Sequence, residues 1–208
     1  MLAALTELCA ARFAMPPLPA ARAEWLREYA GAARRAGRAA LVLSADEAAR
    51  LAAAGVDWPP AARSDELWRV TLLVGAAAAD DFAALVADCY RTGDNDERCA
   101  VLRALPLCQA PERFVRLAVE ACRSSVQPIF EAVACDNPLP ARHFPEANFN
   151  QMVLKALFVG VPLARVVGLG GRLGPELARM AHDYAAERRA AGRPVPDDLA
   201  LLCPGSQP

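Results

Sequence analysis

A chain of 208 residues fits one large domain or one continuous helical array and leaves little room for two independent catalytic domains. With 55% hydrophobic and 23% charged residues it carries enough apolar surface to offset chain entropy, which excludes a mostly disordered protein. Its 23 basic and 24 acidic residues give a net charge of -1, so the bulk field supplies no attraction to nucleic acid or to anionic lipid.

Alanine is abundant, aromatics are 6%, and β-branched residues are scattered rather than gathered into strand-length runs. These features predict an all-α fold: antiparallel helix pairs forming a HEAT-like α-solenoid or an irregular helical bundle, as a single domain over residues 1–203 with a flexible tail at 204–208. Met1–Phe13 reads as an amphipathic first helix. It lacks a basic n-region and carries Glu7 and Arg12 within its apolar stretch, unlike a secretory signal. Met15-Pro16-Pro17-Leu18-Pro19 ends it, because consecutive prolines remove N–H donors and push preceding residues out of the helical region. Ala21–Ala36 follows, with Trp25, Leu26 and Tyr29 at spacings that share a face. Ser44 and Glu47 form a capping box that starts a helix stopping near Gly55, and Ser64–Val74 forms another.

From Asp80 the pattern becomes serial: Asp80–Tyr90, Asn95–Leu105, Pro111–Cys122 and Val126–Ala134 read as short helices with links of only a few residues. Asp94–Pro106 resembles the first helix of a HEAT-type unit, although no clean repeat period emerges. Near the end, Gly168-Leu169-Gly170-Gly171 lacks the preceding strand and the spacing of a nucleotide-binding loop. It reads as the break between a helix beginning at Pro162 and one opening at Pro175 and ending at Gly192. Arg188, Arg189 and Arg193 interleave with acids, as on a salt-bridged surface. No apolar stretch approaches the roughly 20 residues of a bilayer span.

The seven cysteines, Cys9, Cys89, Cys99, Cys108, Cys122, Cys135 and Cys203, contain no CxxC pair. Most lie in apolar helical stretches, where a thiol behaves as a small buried hydrophobe, and a reducing, cytoplasmic location follows.

The segment from Ala134 to Arg165 is different. Asp136, Asn137, Arg142 and His143 fall in a stretch that three prolines hold as an extended loop, and a helix then begins at Glu146 or Asn148. On that helix Asn148, Gln151 and Lys155 are spaced three and four apart and point the same way. Lys155 is the sole lysine of the chain. A lysine flanked by amides fits an anionic or polyol ligand, whereas an N-capping Asn148 and a snorkelling Lys155 would be purely structural. His143 offers proton transfer near neutral pH. A metal site from Asp136, His143 and Glu146, or a nucleophile and base from Cys135 and His143, lacks supporting motifs, and no metal or cofactor is expected.

The stretches Asn148–Phe158, Gly160–Leu163, Glu176–Ala181 and Tyr184–Arg193 resemble the EboA-type family of bacteria and algae, over roughly Asp94 to Leu199. The resemblance implies membership of a gene cluster with prenyltransferase-like, metal-hydrolase-like, sugar-isomerase-like and sugar-phosphate-cyclase-like proteins, implicated in moving or processing a secondary metabolite. It brings no reaction and no catalytic residue. The function expected is therefore a non-catalytic helical scaffold or small-ligand-binding protein, with other proteins of the pathway or a small polar metabolite as partner and no nucleic acid. The alternative is an enzyme acting on a polar or anionic metabolite through His143 and Lys155.

Overall fold

The computed structural model describes residues 1–59 and 62–202; Cys203 and the expected tail at 204–208 lie outside them. The described residues are helical with no strand, and Ala40 and Arg63 form an isolated antiparallel bridge. None of their helices is long and apolar enough to cross a membrane. The chain packs as two compact units, Met1–Leu117 and the residues from Ala118 onward.

The first unit contains α1 (Leu2–Phe13), α2 (Arg22–Ala36), α3 (Ala45–Ala53), α4 (Ser64–Ala76), α5 (Phe82–Thr92) and α6 (Asn95–Ala104). Local chemistry sets the helix starts. The Ser44 hydroxyl accepts from the Glu47 N–H at 3.3 Å while the Glu47 carboxylate accepts from the Ser44 N–H at 2.8 Å. Asp94 and Glu97 make the same reciprocal pair at 2.9 Å in both directions at the start of α6.

Helix α4 is the centre of this unit. Every residue from Ser64 to Val74 is buried, and the helix packs against α1, α2 and α6. Its charged residues must therefore be neutralised inside the protein. Asp65 accepts from Arg69 at 2.6 Å and from two nitrogens of Arg63 at 2.9 and 2.7 Å. Arg63 also reaches Asp96 on α6 at 2.7 Å, and Glu66 lies 2.8 Å from Arg103. Trp25 donates its indole N–H to the Leu72 carbonyl at 3.1 Å, which ties α2 to α4, and stacks on Tyr29 of its own helix at 5.0 Å.

Helix α7 (Val115–Ala121) straddles the boundary between the units. The helix expected over Pro111–Cys122 begins instead as a 3₁₀ turn, Pro111–Phe114. The second unit continues with α8 (Gln127–Ala134), α9 (Leu139–His143), α10 (Glu146–Val159) and α11 (Pro175–Ala190). Helix α9 corrects the extended loop read from the prolines. Pro140 sits in its first turn, where the missing N–H breaks no helical bond. The stretch after Pro162 likewise makes only the 3₁₀ turn Leu163–Arg165, whose Leu163 N–H is taken by the Asp198 carboxylate at 2.7 Å. Gly168 then turns the chain with φ +73, and a Cβ there would lie 2.8 Å from the Ala141 Cβ, so only glycine lets this turn lie against α9. Helix α10 buries Phe149, Asn150, Met152, Val153, Ala156 and Leu157 and packs against α8 and α11.

Candidate functional site

The face of α10 left outside that core carries the polar side chains singled out by their spacing. Asn148, Gln151 and Lys155 line one open cavity of about 340 Å³, and α7 and its C-terminal turn supply the opposite wall through Val119, Cys122 and Arg123. Phe144 and Met152 complete its apolar part. The expected co-facing of the three α10 residues is thus what the structure contains.

Lys155 does not snorkel into solvent. Its ammonium donates to the Cys122 carbonyl and to the Ser124 carbonyl, each at 2.6 Å, and lies 4.8 Å from the centre of the Phe130 ring. The last carbonyls of a helix have no partner within it, and a lysine satisfies them while opposing the negative end of the helix dipole. Two of its three N–H donors are committed in this way.

Arg123 is held more loosely. It pairs with Glu120 at 2.8 Å, with the two side chains 69% and 65% exposed, a geometry worth about 0–1 kcal/mol. The Cys122 thiol is pushed up to about 12 by burial, against the opposing pull of Lys155, so it stays protonated at neutral pH. Phe144 is positioned from behind: Arg172 donates to the Ala141 carbonyl at 2.7 Å and to the Phe144 carbonyl at 2.8 Å, and stacks on Phe149 at 4.6 Å. That arginine ties the end of α9 to the start of α10.

The remaining residues singled out by sequence are elsewhere. Asn137 is buried; its amide donates to the Ala132 carbonyl and its oxygen accepts from the Leu139 N–H, both at 3.0 Å, so it starts α9. Asp136 takes a left-handed backbone with φ +52 and accepts from Arg165 at 2.8 Å, while the same arginine reaches Glu131 at 2.6 Å. Arg142 is exposed on α9, and His143 is its half-exposed last residue; neither lines the cavity. Among the described residues no group of three or more His, Cys, Asp or Glu is arranged to hold a metal ion, so Asp136, His143 and Glu146 do not form one. Sequence reasoning missed Arg123, Phe144 and Arg172. The first two acquire their place from a neighbouring helix, and only the glycine-led turn before Arg172 hints at a close approach.

A family model described as metabolite traffic protein EboA matches residues 19–203. The chain belongs to the EboA family. The match begins well before Asp94, so the helices α2 to α5, which show no motif when read by themselves, are part of the EboA pattern too. No curated protein and no solved structure matches the chain. The EboA description names traffic and no reaction. The cavity of this EboA-family chain is lined by the hydrogen-bonding side chains Asn148, Gln151, Arg123 and Lys155 and by no imidazole or carboxylate.

Proposed function

We propose that this EboA-family protein is a non-catalytic binding protein that holds a small polar metabolite in the cavity between α7 and α10, as one member of a metabolite pathway. The observation that carries this reading is the chemistry of the lining. Two cations and two amides converge with an apolar wall. The groups that would move a proton or attack a bond are missing from it: the one thiol is held protonated, and His143 lies off the wall. The enzyme alternative needs His143 and Lys155 to act together, and two donors of Lys155 are already spent on backbone carbonyls. The all-round burial of α4 favours an irregular helical bundle over a regular HEAT-like repeat, in which each unit meets only its neighbours. The six free thiols among the described residues fit a reducing cytoplasm, where the partners are other proteins of the pathway.

Native mass spectrometry of the protein purified from its own host tests the proposal. The expected result is a small molecule retained by the wild type and lost from Gln151→Trp, which fills the cavity from an exposed position of α10. His143→Ala should retain it unchanged. A wild type that carries nothing, or equal retention by the filled variant, overturns the reading.

A further inference from the structure

The two cations of the cavity differ in how they are held, and the difference defines a ligand. Lys155 is fixed by two carbonyl acceptors and the Phe130 ring and keeps one N–H uncommitted. Among the described residues the Arg123 guanidinium pairs with Glu120 across an exposed i,i+3 contact, and an arriving anion can take it from that carboxylate at small cost. No acid lines the cavity to repel an anion. The Cys122 thiol, kept neutral, adds no negative charge either. Gln151 and Asn148 supply amide N–H donors one and two turns before Lys155 along the same face. Val119, Phe144 and Met152, from α7, the approach to α10 and α10 itself, present an apolar surface to whatever is attached to the charged head. A volume of about 340 Å³ is at the small end of the range for small-molecule sites, enough for a compact two-ring body with one head group.

We infer that the cavity selects an amphiphilic organic anion, a carboxylate or phosphate on a compact apolar body, with Arg123 as the group that discriminates charge. The head sits between the Arg123 guanidinium and the free N–H of Lys155, where bidentate and charge-assisted hydrogen bonds are strongest. The apolar body rests on Phe144, Met152 and Val119. This inference rests on the binding reading above and adds the ligand class to it.

Three probes of equal body and different head separate the outcomes: 2-naphthoate, 2-naphthyl phosphate and 2-naphthylmethanol, each titrated calorimetrically into the full-length protein at low and at high salt. At least one anion should bind about tenfold or more tighter than the alcohol, the gap falling as salt rises, and the tighter anion identifies the head group. In Arg123→Gln, which alters an exposed side chain and should leave the melting temperature unchanged, the anion-to-alcohol preference should drop to threefold or less. Equal binding of all three probes overturns the ligand class, as does no binding by any of them or a preference that survives in Arg123→Gln. These failures are distinct from failure of the binding reading, because a native ligand lost from Gln151→Trp while the probes bind equally keeps the site and removes only its charge selectivity.

Discussion

Lys155 on α10 closes the end of α7 by donating to the Cys122 carbonyl oxygen at 2.6 Å, with the Ser124 carbonyl sharing the same ammonium. The only lysine of the chain is therefore a helix cap first, and a ligand group only through the N–H that remains. The Lys155 contact with Cys122, between residues 33 apart in sequence, joins the two walls of the cavity.

Lys155→Met is expected to destabilise the protein by about 1–3 kcal/mol, because two carbonyl acceptors lose their partner while the apolar stem is kept. An ordinary surface lysine would cost no more than about 0.5 kcal/mol. Urea unfolding monitored by circular dichroism measures the difference, and a change below that limit contradicts the capping role.

Asn150 on the buried face of α10 is 1% exposed, and neither polar atom of its amide has a hydrogen-bond partner among the described residues. Burying an unpaired amide is costly, so removing it should help. Asn150→Leu, which keeps the branching at Cγ, is expected to leave stability unchanged or raise it by about 1 kcal/mol. A clear loss in the same unfolding experiment would show that the amide is satisfied after all.

Buried charge on α4 sets an acid response. Burial alone would push the Asp65 carboxyl up, but the hydrogen bonds from Arg63 and Arg69 outweigh it and hold it below its ordinary value. Such a group stabilises the fold above its unfolded value of about 3.9 and loses that contribution as the pH falls through the lower folded value. Glu66 has the opposite sign. Burial raises its carboxyl, so its contribution is present in acid and is lost as the pH rises through the raised value. Asp65→Asn should cost about 3–5 kcal/mol at neutral pH by leaving the 2%-exposed Arg69 short of its counter-charge. Its stability should also fall less steeply than that of the wild type below pH about 4. Equally steep acid limbs would remove Asp65 from this account.

How much of this was readable from the chain varies with the range of the interaction. The capping box at Ser44, the stop at Gly55, the entry at Pro175 and the common face of Asn148, Gln151 and Lys155 depend on residues within a turn or two of each other, and all are present. Helix α9 was misread because Pro138, Pro140 and Pro145 signal breaks, while a proline in a first turn is equally at home there. The tasks of Lys155, Arg165 and Arg172 were not legible, since their acceptors lie about thirty residues away. Nor was the burial of α4: Asp65 and Arg69 have the i,i+4 spacing of an ordinary surface pair, and only the surrounding helices turn that pair into an interior one.

The thiols should be slow to alkylate in the folded state. Burial pushes Cys9 and Cys89 up to about 11 and Cys99, Cys108 and Cys122 up to about 12, so little thiolate exists near neutral pH. With iodoacetamide at pH 7.5 and peptide mapping, Cys122, half-buried on the cavity wall, should label first among these five. Faster labelling of Cys9, Cys99 or Cys108 would contradict the buried assignment.

Hydrogen exchange measured with and without a small-molecule extract of the host tests most directly that the α7–α10 cavity takes a metabolite. Added protection should be confined to residues 119–124 and 144–155 and should vanish in Gln151→Trp. Protection that appears elsewhere, or persists in the filled variant, or no protection at any peptide, would contradict the claim that this cavity is where the protein holds its ligand.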